Sequence, residues 1–259
     1  MDFWYRADDK FIGQRIALDK YEKYERGLFL KQLNKDSVVV DVGANIGYYT
    51  LLAAKVAKKV YAIEPDKMCF EILQKNVKEN NLKNVVLVNK AAGEKREKKY
   101  LERDEINQGN SRISDNNGVL IMTDTLYNIL INEQIISCIK IDTQGYEPQV
   151  ILGAKKIIKK HRPTIFLEYT PSEYRDNKMI NFLKKSYQNI WSINDFAEVP
   201  WPIFPGVKIL GKAGYADLFL KKKMEIGDYV AIIKKVKYKK FIKALLIKNQ
   251  TILKKFFHK

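Results

Sequence analysis

The run Ser37-Val38-Val39-Val40-Asp41-Val42 passes directly into Gly43-Ala44-Asn45-Ile46-Gly47, and no other segment restricts the fold of this chain so strongly. Its apolar residues follow one another without alternation, so both faces of the strand need cover, which is how a buried parallel strand reads. Gly43 lets the backbone turn sharply and brings N–H groups close to a ligand, and Gly47 allows a helix to pack tightly on the strand. Residues 48–56 have helical character, and Lys59-Val60-Tyr61-Ala62-Ile63-Glu64 reads as the next strand, stopped by Pro65.

The same alternation continues along the chain. Helices are predicted over 14–34, 67–80, 148–160 and 172–185, and strands over 84–89, 135–142, 164–169, 190–193 and 216–220. The polar stretch 93–118 is expected to hold extra strands and a loop, and 200–214 is rich in proline and glycine. Strands alternating with helices predict an α/β fold with a mostly parallel sheet. With 259 residues the chain can bury a full core without disulfides. Cys69 and Cys138 lie in apolar segments and read as reduced core thiols of a cytosolic protein. A hydrophobic share of 46% and a charged share of 30% exclude wholesale disorder, collagen and coiled coil. No run reaches the roughly 18 apolar residues of a membrane span, and the acid and aromatics in residues 1–6 argue against a secretory leader.

Charge divides the chain. Of the net +17, a net +11 lies in residues 221–259, where thirteen lysines face Glu225 and Asp228. The expected organisation is a helical segment over 1–35, a sheet domain over 36–222 and a basic amphipathic tail over 223–259. In the tail, Tyr238, Phe241, Ile242, Leu245, Ile252, Leu253 and Phe256 fall on one helical stripe. Two readings stand: a helix docked on the domain or on a twin subunit in a homodimer, or a helix lying on an anionic membrane surface. A basic tail on a nearly ordinary domain disfavours nucleic acid as the main partner.

The glycine turn acquires meaning from its context. Glu64 closes the second strand 21 residues after Gly43, where an acid can accept hydrogen bonds from both ribose hydroxyls of a nucleoside. A dinucleotide site wants a central glycine in the turn to seat the pyrophosphate; here that place belongs to Asn45. S-adenosylmethionine has no phosphate, and Asp41 and Asn45 can supply polar contacts to its methionine end.

Together DVGANIGYYTLLAAK, YAIEPD, KIDTQGYE with ILGA following, and RPTIFLEY resemble the FkbM-type S-adenosylmethionine-dependent methyltransferases, over about residues 20–220. The resemblance implies a Rossmann-like methyltransferase fold, with a seven-stranded, mostly parallel sheet and helices on both faces. It implies methyl transfer to an oxygen, commonly a hydroxyl of a sugar or polyketide. Asp41, Gly43, Asn45 and Gly47 would line the methionine end, Glu64 with Pro65 the ribose, and Ala91 and Ala92 the adenine, while Asn110-Ser111 matches a polar loop facing the site. The family often shows D-x-E-G-x-E after its fourth strand, where this chain has Asp142-Thr143-Gln144-Gly145-Tyr146-Glu147. With Gln144 in place of the middle acid, dependence on a divalent metal is left open.

A hydroxyl is a poor nucleophile until its proton leaves, so a general base is expected. Asp142, Glu147 and Glu168 end on one sheet edge, with Asp142 also close to the cofactor. His161 is expected at a helix end, where the dipole favours its charged form. No histidine or cysteine has zinc-ligand spacing. The aromatic loop 191–215 reads as a platform for a sugar ring or as a buried plug. The expected function is thus O-methylation of a sugar, as glycan, nucleotide sugar or glycolipid, in the cytoplasm or peripherally at the inner membrane surface. The alternatives are an RNA ribose 2'-O-methyltransferase and a non-catalytic membrane-surface adaptor.

Overall fold

The computed structural model describes residues 2–221, apart from 8, 10, 11, 20, 105, 106, 194–200 and 203–215. The tail over 223–259 and most of the aromatic loop over 191–215 lie outside the described residues.

In chain order the strands are β1 (Val38–Val42), β2 (Lys59–Ile63), β3 (Val85–Val88), β4 (Ala91–Ala92), β5 (Glu97–Glu102), β6 (Arg112–Ser114), β7 (Val119–Asp124), β8 (Cys138–Ile141), β9 (Thr164–Tyr169), β10 (Asn189–Ile193), β11 (Trp201–Pro202) and β12 (Ala216–Lys221). The helices are α1 (Gly13–Ala17), α2 (Lys23–Lys31), α3 (Tyr48–Ala54), α4 (Lys67–Glu79), α5 (Leu126–Ile129), α6 (Glu147–Gly153), α7 (Lys155–His161) and α8 (Lys178–Ser186). The main sheet has the order β11-β10-β12-β9-β8-β1-β2-β3. Strands β3, β2, β1, β8 and β9 pair in parallel, while β12 runs antiparallel between β9 and β10. The expected seven strands are therefore eight among the described residues, because two-residue β11 adds to the edge of β10. A second sheet, β4-β7-β5-β6, closes on a small core of Ala91, Leu101, Ile121 and Ile113.

The β-branched run behaves as its composition requires: every residue of β1 is buried. Val38, Val40 and Val42 pack with Leu126, Val150, Ile151, Ile158 and Leu183 from α5 to α8. On the opposite face Val39 packs with Leu28 and Phe29 of α2 and with Tyr48 and Tyr49 of α3. Ala62 of β2 meets Leu73 and Val77 of α4. Each fully buried leucine or isoleucine in these layers contributes about 1.5–3 kcal/mol.

Three predicted helices are each divided. The expected helix over 14–34 is α1 and α2, separated by Asp19 (φ 53°) and Glu22 (φ 40°) in the left-handed region. The break is held by tertiary contacts: Lys23 and Arg26 donate to the Asp19 carboxylate, and the Tyr49 hydroxyl donates to Glu22 Oε2 at 2.7 Å. The helix expected over 148–160 becomes α6 and α7, which meet at Ala154; α6 packs on β4 and β9, and both helices contact α5. Over 172–185 a 3-10 turn (Pro171–Glu173) precedes α8, since the Tyr174 hydroxyl leaves the helical path to accept from Thr170 N and donate to Glu147. Strand β7 was not anticipated.

The amino-terminal arm is clipped to α4 by Asn76, whose side chain is fully buried. Asn76 Oδ1 accepts from Trp4 N at 2.6 Å, and its Nδ2 donates to Trp4 O at 3.0 Å and Ile46 O at 2.7 Å. Asn76→Ala strands buried backbone groups of both the arm and the glycine turn. It is expected to cost roughly 2–3 kcal/mol in urea unfolding; a loss below half of that shows that water replaces the amide.

Candidate active site

The direction of the sheet order reverses at β1, with β2 and β3 on one side and β8 on the other. Open α/β sheets bind ligands outside the carboxyl ends of their strands at such a point. A crevice lies there, lined by Asp41, Gly43, Asn45, Glu64, Pro65, Ala91, Ala92 and Asp142, together with Tyr21, Tyr48, Tyr49, Asp66, Ser111, Lys140 and Gln144. Of the residues expected from the sequence, Gly47, Asn110, Glu147 and Glu168 are outside this lining.

The turn after β1 is shaped by close approach. Gly43 has φ +77°, and a Cβ there would come within 1.8 Å of the Asp142 carbonyl oxygen. Only glycine lets the ends of β1 and β8 meet in this way. Gly43 N and Ala44 N both donate to Ile63 O, joining the turn to β2. Gly47 takes φ +96° and precedes α3, where a Cβ would sit 2.5 Å from Leu73 Cδ1; it packs the turn rather than lining the crevice.

Asn45, at φ +49°, presents its backbone N–H to Glu64 Oε2 at 2.8 Å, and Asp66 N donates to Glu64 Oε1 at 2.8 Å. Each carboxylate oxygen thus keeps a further lone pair. Burial pushes the Glu64 carboxyl up to about 7, against the two N–H donors that favour its charged form. Asp66 in turn caps α4 through Met68 N and is gripped by Arg103, with Nε 2.7 Å from Oδ2 and Nη2 3.0 Å from Oδ1. Asp41 accepts from Thr50 Oγ1 at 2.6 Å, and burial raises its carboxyl above the ordinary range despite nearby Lys140.

Lys140 is the feature that sequence reading missed. It stands in β8 opposite Asp41, with only 9% of its surface exposed. Its Nζ donates to Asp142 Oδ2 at 3.0 Å and lies 4.6 Å from the centre of the Tyr49 ring. Burial opposes the ammonium, but Asp142, Glu22 and Asp41 outweigh it and keep Lys140 charged above the usual lysine range. The reciprocal holds for Asp142: burial would raise its carboxyl, but Lys140 and the Gln144 amide hold it below the ordinary carboxylate range. A lysine within the otherwise apolar Cys138-Ile139-Lys140-Ile141 strand was the available clue. Tyr21 and Glu22 reach the site through the unanticipated break between α1 and α2.

The three expected carboxylates separate. Asp142 faces the crevice. Glu168 lies beside it, with Oε2 2.9 Å from Gln144 Nε2. Glu147 is fully buried and accepts from Thr143 N, Thr143 Oγ1, Gly145 N and the Tyr174 hydroxyl. These donors make Glu147 the clasp of the loop 143–147, and it lies outside the crevice lining where its spacing from Asp142 had placed it. Burial raises its carboxyl. His161 does end α7, but burial and then Lys160 lower its pKa, opposite to the helix-end expectation. Cys69 and Cys138 are both buried, and neither is in a disulfide. Among the described residues no group of three or more His, Cys, Asp or Glu is placed to hold a metal ion.

Comparison with known proteins bears on this site. A family model described as the methyltransferase FkbM domain matches residues 41–199. The tRNA (guanine(37)-N(1))-methyltransferase Trm5b of Methanocaldococcus jannaschii is 38% identical over 82 residues, 29% of this chain and 24% of that protein. The tRNA(Phe) (4-demethylwyosine(37)-C(7)) aminocarboxypropyltransferase of the same organism is 42% identical over 67 residues, 25% of this chain and 26% of that protein. The chain thus spans about a quarter of the length of these curated relatives. The crystal structure of methyltransferase FkbM from Methylobacillus flagellatus KT aligns with 73% of this chain and 44% of its own, at 18% identity and a TM-score of 0.47. The FkbM match begins at Asp41 in the central strand, runs through the crevice-lining segments and covers more than half of the chain: the chain belongs to the methyltransferase FkbM domain family.

Proposed function

We propose that the protein is an S-adenosylmethionine-dependent O-methyltransferase whose acceptor is a hydroxyl of a sugar, in a glycan, nucleotide sugar or lipid-linked sugar. The observation that carries the reading is Glu64, fixed by two backbone N–H groups at the mouth of a glycine turn in an FkbM domain. The donor set fits the cofactor. Glu64 retains lone pairs for ribose hydroxyls, Ala91 and Ala92 offer a small apolar wall, and Asp41 and Asn45 stand at the other end. When bound, S-adenosylmethionine supplies an electrophilic methyl group on a sulfonium.

The residues of this chain would hold the acceptor oxygen in line, and positioning of this kind contributes several kcal/mol. Transfer forms an oxygen–carbon bond, breaks a sulfur–carbon bond and leaves a neutral thioether, with the hydroxyl proton passing to a carboxylate or to water. Asp142, kept ionised by Lys140, suits hydrogen-bonding and orienting the hydroxyl; a carboxylate of lowered pKa takes the proton only once the new bond has made it acidic. Tyr21, half-buried, lines the same crevice and offers an aromatic face suited to a sugar ring.

A second reading, RNA ribose methylation, draws on the tRNA-modifying relatives. Against it stand the carboxylates around Lys140, which repel phosphates, and the placement of most positive charge in the tail. RNA binding that falls steeply with salt would favour it. A non-catalytic adaptor retaining this domain is the third reading. Among the described residues no helix is long and apolar enough to cross a membrane. The proposed location is the cytoplasm, with the basic tail contacting an anionic inner membrane surface.

Calorimetry tests the cofactor. Wild-type protein is expected to bind S-adenosylmethionine, and Glu64→Ala to bind roughly 10- to 100-fold more weakly, from the loss of hydrogen bonds to a charged group. Equal binding, or none by either, ends this reading. Because the Glu64 carboxyl sits at about 7, wild-type affinity should rise from pH 6 to pH 8 as the charged acceptor forms, and Glu64→Ala should lack that rise. Mass spectrometry of nucleotide sugars incubated with labelled methyl donor reads the acceptor directly. Flotation with phosphatidylglycerol vesicles, full chain against a truncation after Lys223, should show membrane binding by the full chain alone; equal flotation removes the membrane contact.

A further inference from the structure

Gln144 stands between two carboxylates. Its Nε2 is 3.0 Å from Asp142 Oδ1 and 2.9 Å from Glu168 Oε2. A primary amide carries two N–H groups, so each carboxylate receives one. Turning the amide over would set its carbonyl against two carboxyl oxygens, which fixes its orientation. Lys140 occupies the other oxygen of Asp142, so both oxygens of that carboxylate are held by donors.

The placement of this amide is built into the loop. Gln144 has φ +52°, a conformation disfavoured for a residue with a Cβ. It is maintained because the loop is tied down on both sides of Gln144, at Thr143 and Gly145, by the buried Glu147 carboxylate. Neighbouring carboxylates are the usual setting for hard divalent cations such as magnesium, calcium and manganese. Here a neutral double donor touches both carboxyl groups, which also lie within hydrogen-bonding reach of each other.

We propose that Gln144 is a positioning residue that bridges Asp142 and Glu168 in the manner of a bound divalent cation, so that Asp142 is aimed at the acceptor hydroxyl and no metal ion takes part. The inference rests on the methyltransferase reading for its purpose, but it has its own test. A Gln144→Glu substitution replaces the bridging donors by a third carboxylate and creates a cation site.

The full-length wild-type protein is assayed for S-adenosylmethionine affinity and thermal midpoint in EDTA, in magnesium chloride and in manganese chloride. Both quantities should be the same in all three. Gln144→Glu should melt below wild type in EDTA and gain a saturable upward shift of about 5 °C with manganese, as expected for a ligand that binds only the folded chain. A glutamine that did not lie between the two carboxylates would give the lower midpoint without the cation response. The proposal is overturned if wild-type binding falls in EDTA and recovers with manganese. It is equally overturned if Gln144→Glu melts cooperatively but ignores manganese. If Gln144→Glu does not fold, the wild-type arm still decides. Absence of S-adenosylmethionine binding by wild type in every condition rejects the cofactor reading instead, while the manganese response of Gln144→Glu still judges the bridge.

Discussion

The contact between Gly43 and the carbonyl of Asp142 sets the geometry of the whole crevice. Neighbouring parallel strands normally diverge into loops that clear one another. Here the turn after β1 lies directly against the end of β8, with no room for a side chain between them. Asp41 and Asp142, one strand apart, are thereby brought to the same opening. Asn45 then follows in a left-handed conformation whose N–H points back to Glu64. One missing Cβ fixes the positions of residues from three strands.

Electrostatics then divide the work among acids that look alike in the sequence. Burial raises the proton affinity of Glu64 and Asp41, of Asp41 even against nearby Lys140. Asp142 is more exposed, with 27% of its side chain open, and it lies against Lys140, so its proton affinity falls. Glu147 spends its oxygens on its own loop. Four carboxylates thus have four situations: one held by two backbone N–H groups, a core acid bound to Thr50, one paired with Lys140 and an internal clasp. Lys140 decides much of this, because a single ammonium among Asp142, Glu22 and Asp41 is the only cation lining the crevice among the described residues.

Much of this was legible from residue order. The β1 run, the glycine turn, β2 and Glu64 are contiguous, and their patterns arise from local backbone and burial requirements, so sequence alone located them. The break at Asp19 and Glu22 was not legible, because a helical period runs straight through it and the left-handed residues are stabilised by Arg26 and the hydroxyl of Tyr49. Lys140 read as an ordinary strand residue, since its depth depends on neighbours supplied by β1, α3 and the α1–α2 turn. Glu147 had the right spacing from Asp142, but the loop folds it inward. Strand β7 escaped notice because Leu120 and Met122 are exposed and break the expected apolar alternation.

The Asn76 clip gives the amino-terminal arm a connection to the crevice that its position in the chain would not suggest. One amide holds both Trp4 and Ile46, and Ile46 belongs to the glycine turn. Local opening of the arm therefore removes a support of that turn, and anything that steadies the turn makes opening of the arm rarer. Amide deuterium uptake or protease cleavage near residues 3–5 would consequently act as a remote gauge of crevice occupancy, although no atom of the clip needs to touch the occupant.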